Sequence, residues 1–265
     1  MEQVFLLRGL AREARHWGQF VADLQASYDE RGAKVRIETI DLPGCGRHSE
    51  MLAPLSIEAT ADFAREKMKE ILVREAESGE KPADRRVLVA ISLGGMVAAS
   101  WLSRYPTDFH AAVLINSSYR GVSKIHERLK WQSWWRVPGI LKSDDVETRE
   151  RHILNWVSNV EERRQHALPD WVRIQHSRPV SKLNLGIQLA AAARFSAPAK
   201  ISVPLLVLAS EQDRMVNPEC SKAIAKRYDA PLLLHRTAGH DLPLDDGPWV
   251  ASKIAEWDQT QSLSR

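Results

Sequence analysis

The sequence predicts an α/β protein in which helices cover both faces of a mainly parallel sheet and a helical cap is inserted into the core. Short apolar stretches alternate with helical patterns over residues 1–118 and again over 197–265. Over residues 119–196 the alternation stops and only helical patterns occur. Alternation of this kind favours a parallel sheet, because parallel strands are joined by long crossovers that are usually helices. We therefore expect one core built from the two outer segments and a cap over residues 119–196.

The first half of the core contains four predicted strands, each an apolar stretch bounded by turn residues. They cover residues 4–7, 35–40, 87–91 and 111–115. Helical spacing of apolar residues follows the first three strands, over residues 16–24, from 57 to 72 and from the third strand to Pro106. Ser56 stands where a helix N-cap is expected, since its hydroxyl can accept a hydrogen bond from an amide of the first turn.

Sheet character returns after the predicted cap. Two more strands are expected, over residues 203–210 and 231–234. Asn217 and Pro218 are expected to cap and start a helix that runs to Tyr228, because proline is favoured in the first turn. A closing helix begins near Asp246. This order completes the parallel core.

Residues 87–96 are the stretch around which the core is organised. An apolar run stops at Ser92 and passes directly into Gly94 and Gly95, which is the pattern of a buried strand, a tight turn and a helix start. A serine in such a turn takes a sparsely populated backbone conformation that exposes its hydroxyl, while the first helical amides point to the space above it. This geometry suits a nucleophile. The alternative is an ordinary strand-to-helix turn with a capping serine.

The turn around Ser92 resembles the G-x-S-x-G nucleophile elbow of the α/β-hydrolase family, with Ala90 in the first glycine position. Residues 41–46 resemble the D-x-P-G-x-G loop of the same family. The resemblance covers residues 3–118 and 201–258. It implies that the backbone amides of Leu10, in the loop after the first strand, and of Leu93, after the serine, form an oxyanion hole.

Ser92, Asp213 and His240 each follow the end of a different predicted strand, so a parallel sheet places all three at one edge. A serine hydroxyl needs a base to take its proton and a carboxylate to hold that base. The chain order Ser, Asp, His and the turn before His240 match the family, which implies that these residues form a catalytic triad. Glu211 and Asp241 are nearby rivals for the acid. The serine argues against dehalogenases and epoxide hydrolases of this fold, which resemble it but use an aspartate.

The predicted cap has an unusual composition. It contains five of the nine tryptophans, more basic than acidic residues, and two helical stretches over residues 144–167 and about 180–195. Aromatic side chains in a cap could form an apolar substrate pocket, or they could simply pack the cap onto the core. The candidates for the pocket are Trp131, Trp134, Trp135 and Trp156. The basic residues could attract an anionic acyl carrier or form a solvated helix face.

The overall composition limits the other possibilities. The chain has 44% hydrophobic and 27% charged residues and a net charge of only +3. It shows no nucleic-acid-binding motif, no membrane-spanning apolar run and no leader pattern. We therefore expect a cytoplasmic protein that does not bind nucleic acid and does not span a membrane. Two cysteines are too few for a disulfide framework or a metal cluster.

These observations predict a serine hydrolase that cleaves small carboxylic esters through an acyl-enzyme on Ser92, without a metal or organic cofactor. A thioesterase or an esterase for acyl chains on coenzyme A or a carrier protein is the alternative within the enzymes, and carbon–carbon bond hydrolysis is a third. A non-catalytic ligand-binding module on the same fold is the alternative outside the enzymes.

Overall fold

A six-stranded parallel sheet forms the centre of the molecule, with the strands in the order β2-β1-β3-β4-β5-β6. The computed structural model describes residues 1–130, 143 and 145–263. The strands are β1 Glu2–Leu7, β2 Val35–Ile40, β3 Arg85–Ile91, β4 Ala111–Ile115, β5 Leu205–Ser210 and β6 Leu232–His235. All six lie where the sequence predicts them.

The described helices are numbered here in chain order. They are α1 Phe20–Asp29, α2 Ile57–Glu77, α3 Leu93–Arg104, α4 Ile125–Arg128, α5 Val146–Val157, α6 Glu161–Ser177, α7 Lys182–Arg194, α8 Pro218–Arg227, α9 Leu242–Asp245 and α10 Gly247–Leu263. Ser56 caps α2 by accepting a hydrogen bond from the amide of Ala59 at 3.2 Å, and Asn217 caps α8. None of the helices in the described part of the chain has the length and hydrophobicity of a membrane span.

The central strand β3 shows why the sheet must be covered on both faces. Leu88 and Ala90 point into a cluster that includes residues of α2 and α3. Val87, Val89 and Ile91 point into a second cluster, which includes residues of α1 and α10. A strand buried on both faces is a continuous apolar run, as is typical of parallel sheets. The predicted fold class is therefore confirmed.

The first predicted helix is not continuous. The stretch over residues 16–24 is divided into a short 3-10 helix, Ala14–Trp17, and α1, because Gly18 has a φ of 50° between them. A positive φ does not fit a continuous right-handed helix.

In its described residues, the insertion between β4 and β5 contains the short helix α4 and the longer helices α5, α6 and α7, where only two helical stretches were expected. The predicted stretch over residues 144–167 breaks at residues 158–160, and α6 continues past Pro169. At the break, the hydroxyl of Ser158 and the amide of Asn159 both donate to the buried carboxylate of Asp245. The side chain of Asn159 also donates to the carbonyls of Gln212 and Thr237, at 3.1 and 3.0 Å. The chain leaves the helix here because these groups bond to the core instead of to the helix.

Gly94 allows α3 to pass directly over the end of β1. A Cβ atom added to Gly94 would lie 2.5 Å from the carbonyl oxygen of Arg8 and 2.7 Å from that of Leu7. Both are backbone atoms, so a side-chain rotation cannot relieve the overlap. The helix and the strand would have to move apart.

We expect Gly94→Ala to lower the free energy of unfolding by about 1–3 kcal/mol, the usual cost of overpacking. Gly186→Ala is the matched control, because Gly186 also lies in a helix but its added Cβ would have no atom within 4 Å. That change should stabilise the protein by up to about 1 kcal/mol, as alanine favours helix over glycine. Urea unfolding of both variants measures the difference, and equal stabilities would contradict the close contact.

Candidate active site

Ser92 occupies the sharp turn between β3 and α3. Its φ of 57° and ψ of −121° lie in a region that non-glycine residues rarely adopt. The turn is held by two hydrogen bonds: the amide of Ser92 donates to the carbonyl of Ile115 at 2.8 Å, and Ser117 Oγ donates to the carbonyl of Ser92 at 2.8 Å. Gly9 lies so close that an added Cβ would be 3.0 Å from Ser92 Cβ.

Ser92, His240 and Asp213 are brought into one line of hydrogen bonds. His240 Nε2 lies 2.9 Å from Ser92 Oγ, and His240 Nδ1 lies 2.7 Å from Asp213 Oδ2. The three residues follow β3, β5 and β6, whose carboxyl ends meet at the same edge of the sheet. Because a carboxylate can only accept, Nδ1 carries the proton and the lone pair of Nε2 faces the serine hydroxyl.

The side chain of Asp213 is fixed by burial and by hydrogen bonds. Its side chain is 1% exposed, and its Oδ1 accepts hydrogen bonds from the amides of Met215 and Val216 at 2.7 and 2.9 Å. The second oxygen is thereby directed at His240. Neither rival acid takes this place, since Glu211 is exposed and Asp241 forms a buried ion pair with Arg8.

Two residues that sequence reasoning had not assigned to the site fix the loop of His240. Asn116 Nδ2 donates to the carbonyl of His240 at 2.8 Å, and Asn116 Oδ1 accepts from the amide of Ser210 at 2.9 Å. Asp245 accepts a hydrogen bond from the amide of Gly239 at 2.6 Å, in addition to those from the insertion. The signal in the sequence is that Asn116 directly follows the predicted strand over residues 111–115, at the same edge of the sheet as Ser92.

Opposing effects act on the pKa of the His240 imidazole. Burial alone would lower the pKa, but the charge of Asp213, its hydrogen bond and the charge of Asp241 raise it above the ordinary value of 6.5. The imidazole is therefore a stronger base than a buried histidine without a carboxylate. Such a group can take a proton from Ser92 and return it later.

The two backbone amides predicted to form an oxyanion hole belong to Leu93, which follows Ser92 in the chain, and to Leu10, whose neighbour Gly9 lies against Ser92. Leu10 belongs to the loop after β1 and lies in the wall of a cavity that also contains Ser92. Leu93 is the first residue of α3, so its amide has no acceptor within the helix.

The cavity over Ser92 has a volume of about 490 Å³ and also contains His240 in its wall. Much of the wall is apolar and comes from the insertion, including Ile153, Trp156, Trp171 and Leu185. Trp156 thus lies in the wall of this cavity, and its role as a substrate-pocket residue stays a prediction. Trp131, Trp134 and Trp135 lie outside the described residues.

One side of the cavity wall is charged. Arg12 Nη1 and Glu150 Oε2 form an ion pair at 2.9 Å, with the two side chains 9% and 1% exposed. The guanidinium of Arg12 also lies over the ring of Trp171, 4.2 Å from its centroid. This cluster joins the loop after β1 to α5 and α6. No sequence pattern predicts it, because its members are far apart in the chain.

Among the described residues, no group of three or more His, Cys, Asp or Glu side chains is arranged to hold a metal ion. The groups that converge on the cavity are instead a hydroxyl, an imidazole, a carboxylate and backbone amides.

The order of the strands and the turn at Ser92 agree with a comparison of the sequence with known families. Residues 4–253 match the model of the alpha/beta hydrolase family. The chain belongs to this family. No curated protein matches the sequence.

Solved structures of other members are similar along almost the whole chain. 2-Hydroxy-6-oxo-6-phenylhexa-2,4-dienoate hydrolase from Rhodococcus sp. strain RHA1 is 17% identical, with a TM-score of 0.74, and the match covers 97% of this chain and 90% of that one. The esterase RhEst1 from Rhodococcus sp. ECU1013 is 20% identical (TM-score 0.70; 97% and 90% covered). A thermophilic esterase from Thermogutta terrifontis is 18% identical (TM-score 0.68; 98% and 90% covered). At these identities the likeness establishes the fold.

We expect Asp213→Asn to lower the pKa of His240 below its ordinary value, because burial remains while the charge that raises the pKa is removed. An NMR titration of the labelled imidazole measures the change. Asp246→Asn is the control, since Asp246 contacts a different histidine, His235, at 3.1 Å and should leave His240 unchanged. A pKa that stays raised in Asp213→Asn would show that another group supports the imidazolium.

Proposed function

We propose that this alpha/beta hydrolase is a serine esterase, which cleaves carboxylic esters through an acyl-enzyme on Ser92. The proposal rests mainly on the line of hydrogen bonds from Ser92 through His240 to Asp213, with distances of 2.9 and 2.7 Å. In this proposal Ser92 is the nucleophile, His240 the base and acid, and Asp213 the carboxylate that orients the imidazole.

In the acylation step, Ser92 Oγ attacks the carbonyl carbon of the ester while its proton moves to His240 Nε2. The negative charge that develops on the carbonyl oxygen is stabilised by the amides of Leu10 and Leu93, and each such donor is worth about 10²–10³ in kcat in related enzymes. The imidazolium then protonates the leaving alkoxide. The carbon–oxygen bond of the ester breaks, and an acyl ester of Ser92 remains.

In the deacylation step, water replaces the alcohol. His240 takes a proton from the water as the hydroxyl attacks the acyl carbon, and then returns it to Ser92 Oγ as that oxygen leaves. The products are the carboxylic acid and the regenerated serine. Every proton in the cycle passes through His240 Nε2.

The cavity supports an apolar acyl or aryl group as the bound part of the substrate. Its volume of about 490 Å³ is within the range of small-molecule sites, and its apolar wall is supplied largely by α5, α6 and α7. We propose on this basis that residues 119–196 act as a cap over the core. Trp156 would contact the acyl group.

We propose simple esters, rather than acyl chains on an anionic carrier, as the substrates. The reason is that arginines of the insertion form ion pairs with acidic residues of the same helix. Arg151 pairs with Glu147 and Arg164 with Glu161 on their own helices. Such pairs are typical of a solvated helix face rather than of a docking site. We also propose a cytoplasmic location, which is supported by two buried cysteines without a disulfide, Cys45 and Cys220.

Replacing the nucleophile tests the proposal directly. We expect the wild-type protein to hydrolyse p-nitrophenyl esters and to form a covalent adduct with a fluorophosphonate at Ser92, located by peptide mass spectrometry. Ser92→Ala should lose the adduct and about 10⁶-fold in kcat, while remaining folded.

Ser100→Ala is the matched control, because Ser100 is a buried serine of α3, the helix that follows Ser92, and does not line the cavity. It should keep full turnover. Folded wild-type protein that neither hydrolyses esters nor forms the adduct would favour a non-catalytic binding module instead.

We expect Trp156→Ala to shift the preference towards longer acyl chains, since a large side chain is removed from the cavity wall. The ratio of kcat/KM for octanoate over butyrate esters should rise by about tenfold, the usual effect of filling or emptying one small part of an apolar pocket. Trp257→Ala, outside the cavity, should leave the ratio unchanged. An unchanged ratio in Trp156→Ala would place the acyl group elsewhere.

A further inference from the structure

The loop that carries the amide of Leu10 is folded in a conformation that its own sequence does not favour. The amide of Arg12 donates to the carbonyl of Gly9 at 3.2 Å, which closes a four-residue turn with Leu10 and Ala11 at its centre. Ala11 has a φ of 53°. A positive φ at the third residue of a turn usually requires glycine or asparagine. The methyl side chain of alanine cannot form a hydrogen bond that would offset the cost of this φ. Something outside the turn must hold it.

Gln188, on the last helix of the insertion, supplies that contact. Its Oε1 accepts a hydrogen bond from the amide of Ala11 at 3.0 Å. Its Nε2 donates to the carbonyl of Pro43 at 3.2 Å and to Cys45 Sγ at 3.2 Å. The side chain is 7% exposed, and its bonds to Pro43 and Cys45 are buried, whereas the bond from Ala11 is partly buried. One amide group therefore joins the loop after β1 to the loop after β2.

Removing this acceptor would leave the half-buried amide of Ala11 without its partner, which is costly. The turn could then relax by rotating the peptide between Leu10 and Ala11, which returns Ala11 to the common right-handed region. Leu10 belongs to that peptide unit on one side and presents its own amide on the other. The rotation changes the backbone at Leu10, and the amide of Leu10 is displaced from the cavity when the φ of that residue adjusts to the new turn.

We propose that Gln188 is a positioning residue for the oxyanion hole: by accepting from the amide of Ala11, it keeps the Leu10 amide directed at the reacting carbonyl oxygen. This inference depends on the proposed esterase function and adds to it. Gln188 does not line the cavity over Ser92. It acts through the turn and does not touch substrate.

The same helix provides a matched control one turn earlier. Asn184 is also buried; its Oδ1 accepts from the amide of Ala53 at 2.9 Å and its Nδ2 donates to the carbonyl of Met51 at 2.9 Å. It thus bridges the insertion to the core with the same chemistry as Gln188. The loop it binds, however, carries none of the groups assigned to catalysis.

The first test compares Gln188→Met with Asn184→Leu, both of which replace an amide by an apolar group of similar size. Gln188→Met should lose about 10-fold to 100-fold in kcat, part of the effect of removing a whole oxyanion donor, with KM changed by less than about threefold. A trifluoromethyl ketone, which forms a tetrahedral adduct with the serine, should bind more weakly by a similar factor. The pH profile of kcat/KM should keep its shape, because His240 and Asp213 are untouched.

Asn184→Leu should leave kcat within about threefold of wild type. An equal loss of kcat in both variants would overturn the proposal, since it would show only that docking of the helix matters. Unchanged kcat in folded Gln188→Met would overturn it as well.

The second test acts on the turn itself. Ala11→Gly in the Gln188→Met background should restore most of the lost kcat, because glycine adopts the positive φ without support. Ala11→Val in the otherwise wild-type protein should lower kcat in the same way as Gln188→Met, since a β-branched residue strongly disfavours that φ. This variant keeps the contact of Gln188, so it tests the turn even if Gln188→Met folds poorly. Because Ala11 also lines the cavity, an unchanged KM is required to assign the loss of kcat to the turn.

No restoration by Ala11→Gly, or full kcat in Ala11→Val, would contradict the proposal. Failure of the proposed esterase function would look different. In that case wild-type protein would show neither ester turnover nor a fluorophosphonate adduct, whereas failure of the present inference leaves both intact in the wild type.

Discussion

The strained backbone of Ser92 is the constraint on which the site depends. A φ of 57° is unfavourable for serine and persists because the surrounding structure holds it. Ile115 and Ser117, at the end of the neighbouring strand, bond to both sides of the residue. Gly9 and Gly94 let the loop after β1 come close enough to enclose it. The hydroxyl then stands at the edge of the sheet where the loops after β5 and β6 also end.

Much of this arrangement could be predicted because it follows from local pattern and from sheet topology. The six strands are apolar runs bounded by turn residues, and the helix caps Ser56 and Asn217 bond to residues two or three positions away. Once the strands are taken as parallel, their carboxyl ends share an edge, so Ser92, Asp213 and His240 are expected at the same side of the sheet. The boundaries of the predicted cap remain a prediction.

The contacts that were not predicted join residues far apart in the chain through single hydrogen bonds or ion pairs. The break at residues 158–160 is one example: the sequence there suits a helix, but bonds to Asp245 are formed instead. The pair of Arg12 with Glu150 and the bridge made by Gln188 are others. None has a spacing or periodicity that a sequence could reveal. The insertion looked like a separate unit in the sequence, whereas in the structure it bonds to the loops after β1, β2 and β5.

Asp245 gives these bonds a consequence for heat inactivation. The same carboxylate binds the linker between α5 and α6 on one side and the amide of Gly239, next to His240, on the other. If the insertion unfolded first on warming, Asp245 would lose two of its partners and the cavity would lose the part of its wall that the insertion supplies. The enzyme would then stop working while its sheet was still intact. In that case its tolerance of temperature would be set by the attachment of the insertion rather than by the strength of the core.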